Sequence, residues 1–195
     1  INTTGIGVVP EGVDISGNRA RPGDKILING FIGDHGMAIM AQRENLKFET
    51  PILSDSAALH ALVAAMVAEV PDIHCLRDPT RGGVAATLNE LARQSRVGMT
   101  IREKALPIRE EVSATCEFLG FDPLYVANEG KLIAICPAEA AERLLAAMRR
   151  HPLGEHSAII GEVTEDSHAF VQMETAFGGK RIVDWLNGEQ LPRIC

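Results

Sequence analysis

Through the middle of the chain, short runs of alternating apolar residues take turns with longer segments whose apolar residues recur at 3, 4 spacing. Toward the end the short runs stand alone. Alternation lines one face of a strand, whereas 3, 4 spacing lines one stripe of a helix. Asp24–Gly30 alternates as a strand, the glycine-punctuated turn Phe31–Gly36 follows, and Met37–Glu44 reads as a helix. Leu59, Leu62, Val63, Met66, Val67 and Val70 give the next helix a wide buried face, with Ser54 or Ser56 as its cap. Ile73–Arg77 is a strand, and Asp78-Pro-Thr-Arg-Gly-Gly83 turns into a helix carrying Val84, Leu88 and Leu91. Gly98–Arg102 is a strand, Glu110–Leu119 a helix closed by Gly120, and Leu132–Cys136 a strand. Ala138–Arg150 is an amphipathic helix through Ala141, Leu144, Leu145 and Met148. Ala158–Val163, Ala169–Met173 and Arg181–Trp185 complete the strands. The order predicts an α/β (α+β) fold: a mixed sheet covered by helices, with no internal repeat.

The 195 residues, 46% hydrophobic and 23% charged, exclude disordered and fibrous classes and suffice for one large domain. With 26 acidic against 19 basic residues and only six Phe, one Tyr and one Trp, no basic stripe interleaved with aromatics exists. Nucleic acid is therefore not an expected partner. Ser56–Ala68, the uncharged stretch of the most apolar helix, has 13 residues. A membrane span needs about 20, so no membrane association is expected. The opening Ile1–Pro10 has no initiator Met, basic n-region or cleavage site. The chain is accordingly expected to be a piece of a longer protein, with residues 1–20 a remnant and linker, 21–186 the domain, and 187–195 a flexible tail.

Cys75, Cys116, Cys136 and Cys195 form no Cys-x-x-Cys pair, so neither zinc-finger nor thioredoxin chemistry is indicated. The first three lie in apolar runs and read as buried small hydrophobes, which suits a reducing cytoplasm. Cys195, at the tip of a tail, suits a thiol carrier, against the plain alternative of an incidental free thiol.

Asp78-Pro-Thr-Arg-Gly-Gly opens a helix after a strand. Paired glycines admit a close ligand, helix-start N–H groups attract anions, Asp78 suits Mg²⁺ or a phosphate neighbour, and Thr80 offers a hydroxyl. The spacing fits an ordinary capped turn equally well. Gly30, Gly33 and Gly36, with Asp34 and His35, read as a tight turn. His151 and His156 read as a helix-end loop rather than metal ligands, and His60 as a satisfied core residue. His74 and Cys75, adjacent on a strand, point to opposite faces and do not readily share a metal. Asn128-Glu-Gly-Lys131 reads as a solvated hairpin turn, with Glu129 and Lys131 as candidates to act on a substrate.

Gly23-Asp-Lys-Ile-Leu, Gly33-Asp-His-Gly, Asp78-Pro-Thr-Arg-Gly-Gly, Pro107-Ile, Cys116-Glu-Phe-Leu-Gly-Phe-Asp-Pro-Leu, Ala127-Asn-Glu-Gly-Lys and Pro192-Arg-Ile-Cys occur in order across nearly the whole chain. Together they resemble the C-terminal portion of the HypE family of hydrogenase maturation carbamoyl dehydratases. The wider superfamily includes aminoimidazole ribonucleotide synthetase, selenophosphate synthetase and thiamine monophosphate kinase. The resemblance implies the C-terminal domain fold of that superfamily and, in the complete protein, an ATP-dependent lyase. A HypF-type carbamoyltransferase would load the Cys195 thiol, and ATP would phosphorylate the carbamoyl oxygen. Loss of phosphate would leave a thiocyanate, whose cyano group passes to a HypC–HypD complex for [NiFe]-hydrogenase. Within that reaction Glu129 is the candidate base, since a carboxylate suits proton abstraction at neutral pH, Lys131 the charge-steadying group, and Asp78, Thr80, Gly82 and Gly83 the candidate nucleotide loop. ATP and Mg²⁺ would be held mostly by an N-terminal half, which would also form the homodimer. Two other readings stay open: a non-catalytic carrier or docking module, and a sibling synthetase or kinase acting on a free small molecule.

Overall fold

A computed structural model describes residues 4, 6–44 and 51–185. The elements run β1 (Lys25–Ile28), α1 (Asp34–Arg43), α2 (His60–Glu69), β2 (Cys75–Arg77), α3 (Gly83–Ser95), β3 (Gly98–Arg102) and α4 (Glu110–Leu119), then β4 (Ile133–Cys136), α5 (Ala141–Arg149), β5 (Ala158–Thr164), β6 (Val171–Glu174) and β7 (Lys180–Ile182). The strands form one sheet in the order β2-β4-β1-β5-β3-β6-β7. The β3–β6 pair is parallel and the other pairs are antiparallel, so the sheet is mixed, as the sequence predicts.

Alternation sorts the strand residues onto two faces. Ile26 and Ile28 of β1, Ile133 and Ile135 of β4, and Met99 and Ile101 of β3 face α3, which contributes Val84, Leu88 and Leu91. Leu27, Ala134 and Cys136 face the other way, against Leu62 and Met66 of α2 and Leu144, Leu145 and Met148 of α5. On that second face, β3 and β5 carry Arg102 and Glu162 outward, so the helices cover only part of it. Helices α1 and α4 form a third cluster through Met37, Met40, Val112 and Cys116, with Val126 between them.

Several local expectations shift. Helix α1 begins at Asp34, three residues before the predicted start, because Gly33 takes a left-handed φ of 86° and turns the chain directly into the helix. The predicted Ser54 or Ser56 cap is replaced by Leu59, without a side-chain bond, and Ser54 Oγ instead pairs with His35 Nδ1 at 2.8 Å. His60 is exposed at the start of α2 rather than buried in the core. Ala138–Ala140 forms a 3-10 turn ahead of α5, and the last strand ends at Ile182. No helix among the described residues is long and apolar enough to cross a membrane.

Candidate functional site

A cleft of about 410 Å³ lies where the turn after β1, the segment before α2, the start of α4, the turn before β4 and the turn after α5 converge. Its walls include Phe31, Asp34, Asp55, Arg109, Lys131 and His156. Asp34, the first residue of α1, is buried, and its Oδ2 accepts from Arg109 Nε at 3.1 Å. Its Oδ1 is buried without a hydrogen-bond partner. Burial pushes the Asp34 carboxyl above the usual carboxylate range, outweighing the Arg109 bond that pulls it down. The Arg109 guanidinium also lies 4.1 Å from the Phe31 ring centre, and His156 stacks at a tilt 4.6 Å beyond. Among the described residues, four acidic groups (Asp34, Asp55, Glu111, Glu155) face two basic ones (Arg109, Lys131) across this lining. The acid surplus suits a neutral or cationic group better than a bare triphosphate.

The Asn128–Lys131 turn forms one wall, and it is far from a solvated hairpin. Asn128 is fully buried. Its side-chain amide donates to the carbonyls of Pro79, at 3.0 Å, and Val126, at 2.9 Å, and its Oδ1 accepts from Gly33 N–H at 2.8 Å. One side chain thus ties the Asp78–Gly83 loop, the Gly33 turn and the Glu129 turn together. On the other side of the turn, Asn29 donates to the carbonyls of Gly130 and Leu153 and accepts from Leu132 N–H. The most deeply buried histidine among the described residues is His74, whose Nδ1 lies 2.7 Å from Asp24 Oδ2.

The residues expected from sequence fall into separate places. Lys131 lines the cleft, while Glu129 is half-buried on the same turn and outside the cleft lining. Asp78 is exposed, Thr80 is half-buried, and Gly82 and Gly83 form the entry to α3 with φ of 70° and 64°. A Cβ on Gly83 would meet the carbonyls of Leu124 and Val126, the latter at 2.7 Å. Close backbone packing therefore accounts for this glycine without a ligand. Among the described residues, the loop does not line the cleft and is tied to it through Asn128. Cys195 lies outside the described residues.

His151 Nδ1 accepts from Leu153 N–H and so caps its own turn. Among the described residues, no three metal-binding side chains cluster. Asp34, Asp55 and Arg109 are site residues that the sequence did not single out. Only Asp34 carried a signal, inside a glycine motif that also fits a tight turn.

The family model described as AIR synthase related protein, C-terminal domain, matches residues 21–174. The chain is 70% identical over its whole length to the carbamoyl dehydratase HypE of Azotobacter vinelandii, covering 57% of that protein. It is 55% identical, with a TM-score of 0.88, to a solved structure of the hydrogenase maturation protein HypE in complex with ATP, covering 93% of this chain and 55% of that one. A solved HypE–HypF complex is 46% identical, with a TM-score of 0.87, over 90% of this chain and 57% of that one. The chain therefore spans a little over half the length of the curated relative it matches.

Proposed function

Since this chain belongs to the AIR synthase related family through its C-terminal domain, we propose that it is the C-terminal part of an ATP-dependent carbamoyl dehydratase acting on its own terminal thiol. The observation that carries the reading is the Asn128–Lys131 turn. It holds a carboxylate and an ammonium on one rigid segment, beside a cleft and bonded to the loop that opens α3. In this reading residues 21–186 are the domain, following an N-terminal half, and 187–195 are a flexible tail that presents Cys195. A HypF-type carbamoyltransferase loads Cys195, and a HypC–HypD complex receives the product. The complete protein is a cytoplasmic homodimer.

The carbamoyl oxygen attacks the γ-phosphorus of ATP, the bond to ADP breaks, and one nitrogen proton leaves to a base. The second nitrogen proton is then lost, the carbon–oxygen bond breaks with its electrons on phosphate, and the carbon–nitrogen triple bond closes. Thiocarbamate and ATP become thiocyanate, ADP, phosphate and one proton. Phosphorylation is required because an amide oxygen is a poor leaving group, and the rate depends on positioning and charge stabilisation. Glu129 takes a nitrogen proton, and Lys131 steadies the charge developing on the transferred phosphoryl group.

In this reading the loop Asp78–Gly83 meets phosphates through Asp78, Thr80 and the Gly82 N–H at the positive end of α3, while the Gly83 N–H bonds the Thr80 carbonyl and Gly83 lets the backbone approach. Asp78, the exposed acid of that loop, also suits a Mg²⁺ accompanying ATP, which would neutralise phosphate charge. The acid surplus of the cleft fits a supply of further nucleotide ligands from the N-terminal half.

Intact-mass measurement of the tail, with the carbamoyl-loading partner, carbamoyl phosphate and ATP, tests this directly. Cys195 should gain the mass of one carbamoyl group and then, only with ATP, lose the mass of one water. Loading without that loss would favour the carrier reading. Asp78→Asn in the complete protein should slow the loss of water more than the loading, because phosphate handling serves only the later step. Equal rates in both steps would return Asp78 to a plain turn residue.

A further inference from the structure

Asp55 belongs to the segment that precedes α2 and carries no motif, yet it touches both chemically active members of the Asn128–Lys131 turn. Its Oδ1 accepts from the backbone N–H of Glu129 at 3.2 Å. Its Oδ2 lies 2.9 Å from Lys131 Nζ. That approach is close but off the line of a hydrogen bond. The Asp55 side chain is 6% exposed and that of Lys131 11%. The two segments also fit as surfaces: a side chain on Gly130 would collide with the Asp55 carbonyl.

Stability alone does not explain such a pair. Desolvating two charges costs about what their attraction returns, and an apolar pair of the same size commonly serves a core as well or better. The turn is moreover already fixed by the neutral amides of Asn29 and Asn128. What the amides do not supply is control over where the Lys131 ammonium sits relative to Glu129. A carboxylate that grips the main chain of one and the charge of the other fixes that relation in two dimensions, as a fork does.

We propose that Asp55 is a positioning residue, one carboxylate setting the Glu129 main chain and the Lys131 ammonium in a single geometry for the dehydration step. This rests on the reaction proposed above. Asp55 itself exchanges no proton or phosphoryl group; it acts through its two neighbours.

The test uses the complete protein with Cys195 already carbamoylated, reading the ATP-dependent loss of water by intact mass and ADP release in parallel. Asp55→Asn keeps an acceptor for the Glu129 N–H but removes the charge facing Lys131, and kcat should fall about tenfold. Asp55→Ala removes both contacts and should cost about a hundredfold. In both variants the KM for ATP and the rate of carbamoyl loading should stay within about threefold of the wild type, a split that general loosening of the fold would not produce. A kcat for Asp55→Ala within about threefold of the wild type would overturn the proposal, as would losses shared equally by loading and dehydration.

Should Asp55→Ala not fold, the Asp55→Asn and Lys131→Met pair decides. If Asp55 acts through Lys131, Asp55→Asn costs less than about twofold once Lys131→Met is in place, whereas its full tenfold loss on that background rejects the assignment. A wild-type protein that never loses water would instead remove the reaction, and the inference with it.

Discussion

Burial sets the chemistry of individual side chains in this chain, most clearly at sulfur. It pushes the Cys75 and Cys116 thiols up to about 11 and Cys136 up to about 12. At about pH 8 roughly a thousandth or less of each is thiolate, in addition to being shielded from reagent. Alkylation of the native protein followed by peptide mapping should therefore label Cys195 ahead of the other three, and Cys195→Ala should abolish carbamoyl acceptance. Preferential labelling of Cys75, Cys116 or Cys136 would remove the tail from the mechanism.

Asp34 offers a second residue-scale test. Because burial raises its carboxyl, the folded state holds this proton more tightly than the unfolded chain does. Its contribution to stability is full below the ordinary carboxylate value and is lost as pH rises through the raised one. Asp34→Asn removes that loss, so the variant should gain stability relative to the wild type between about pH 4 and about pH 7. Urea midpoints at the two pH values check it; a constant difference between the proteins would show that Asp34 does not titrate as described.

At the scale of elements, the side chain of Asn128 joins three loops that are far apart in sequence. Asn128→Ala would strand the Gly33 N–H and leave the carbonyls of Pro79 and Val126 without its amide. Those losses sum to about 3 kcal/mol, measurable by chemical denaturation. A change under about 1 kcal/mol would mean that the loops hold themselves. Elements with their own punctuation were legible without the structure. Helix α4 and strand β3 fall on their predicted residues, α4 because Gly120 closes it in a left-handed turn. The start of α1 was not legible, since Asp34-His-Gly36 has the composition of a turn and becomes helical only as Gly36 N–H bonds to the Ala127 carbonyl. The cleft was legible only in part. Lys131 announced itself in a polar turn, but Arg109 meets Asp34 across 75 positions and Asp55 meets Glu129 across 74. Pairings over such separations are made by strand order, which no local pattern encodes.

For the molecule as a whole, one filled sheet face, a second covered in part by α2 and α5, and a third cluster between α1 and α4 gather the apolar side chains, so the chain is expected to fold by itself. Nucleotide binding is a different matter, because among the described residues the lining of the cleft has four acids against two bases. The 195-residue chain by itself should be folded yet bind ATP weakly or not at all. Calorimetry on it decides, and tight Mg²⁺-dependent binding would show that the domain needs no partner half.

The position of β1 inside the sheet also governs how the chain is made. Its neighbours are β4 and β5, and Lys25 meets Glu162 across 137 positions. At ribosomal speed the interval from Lys25 to its β4 partner Cys136 is on the order of 10 s, during which an apolar strand waits with both edges unpaired; the β5 edge waits longer. The edge of β1 that faces β5 is thus satisfied only after most of this domain has been synthesised. The nascent chain must be sheltered through that interval or risk pairing with a copy of itself.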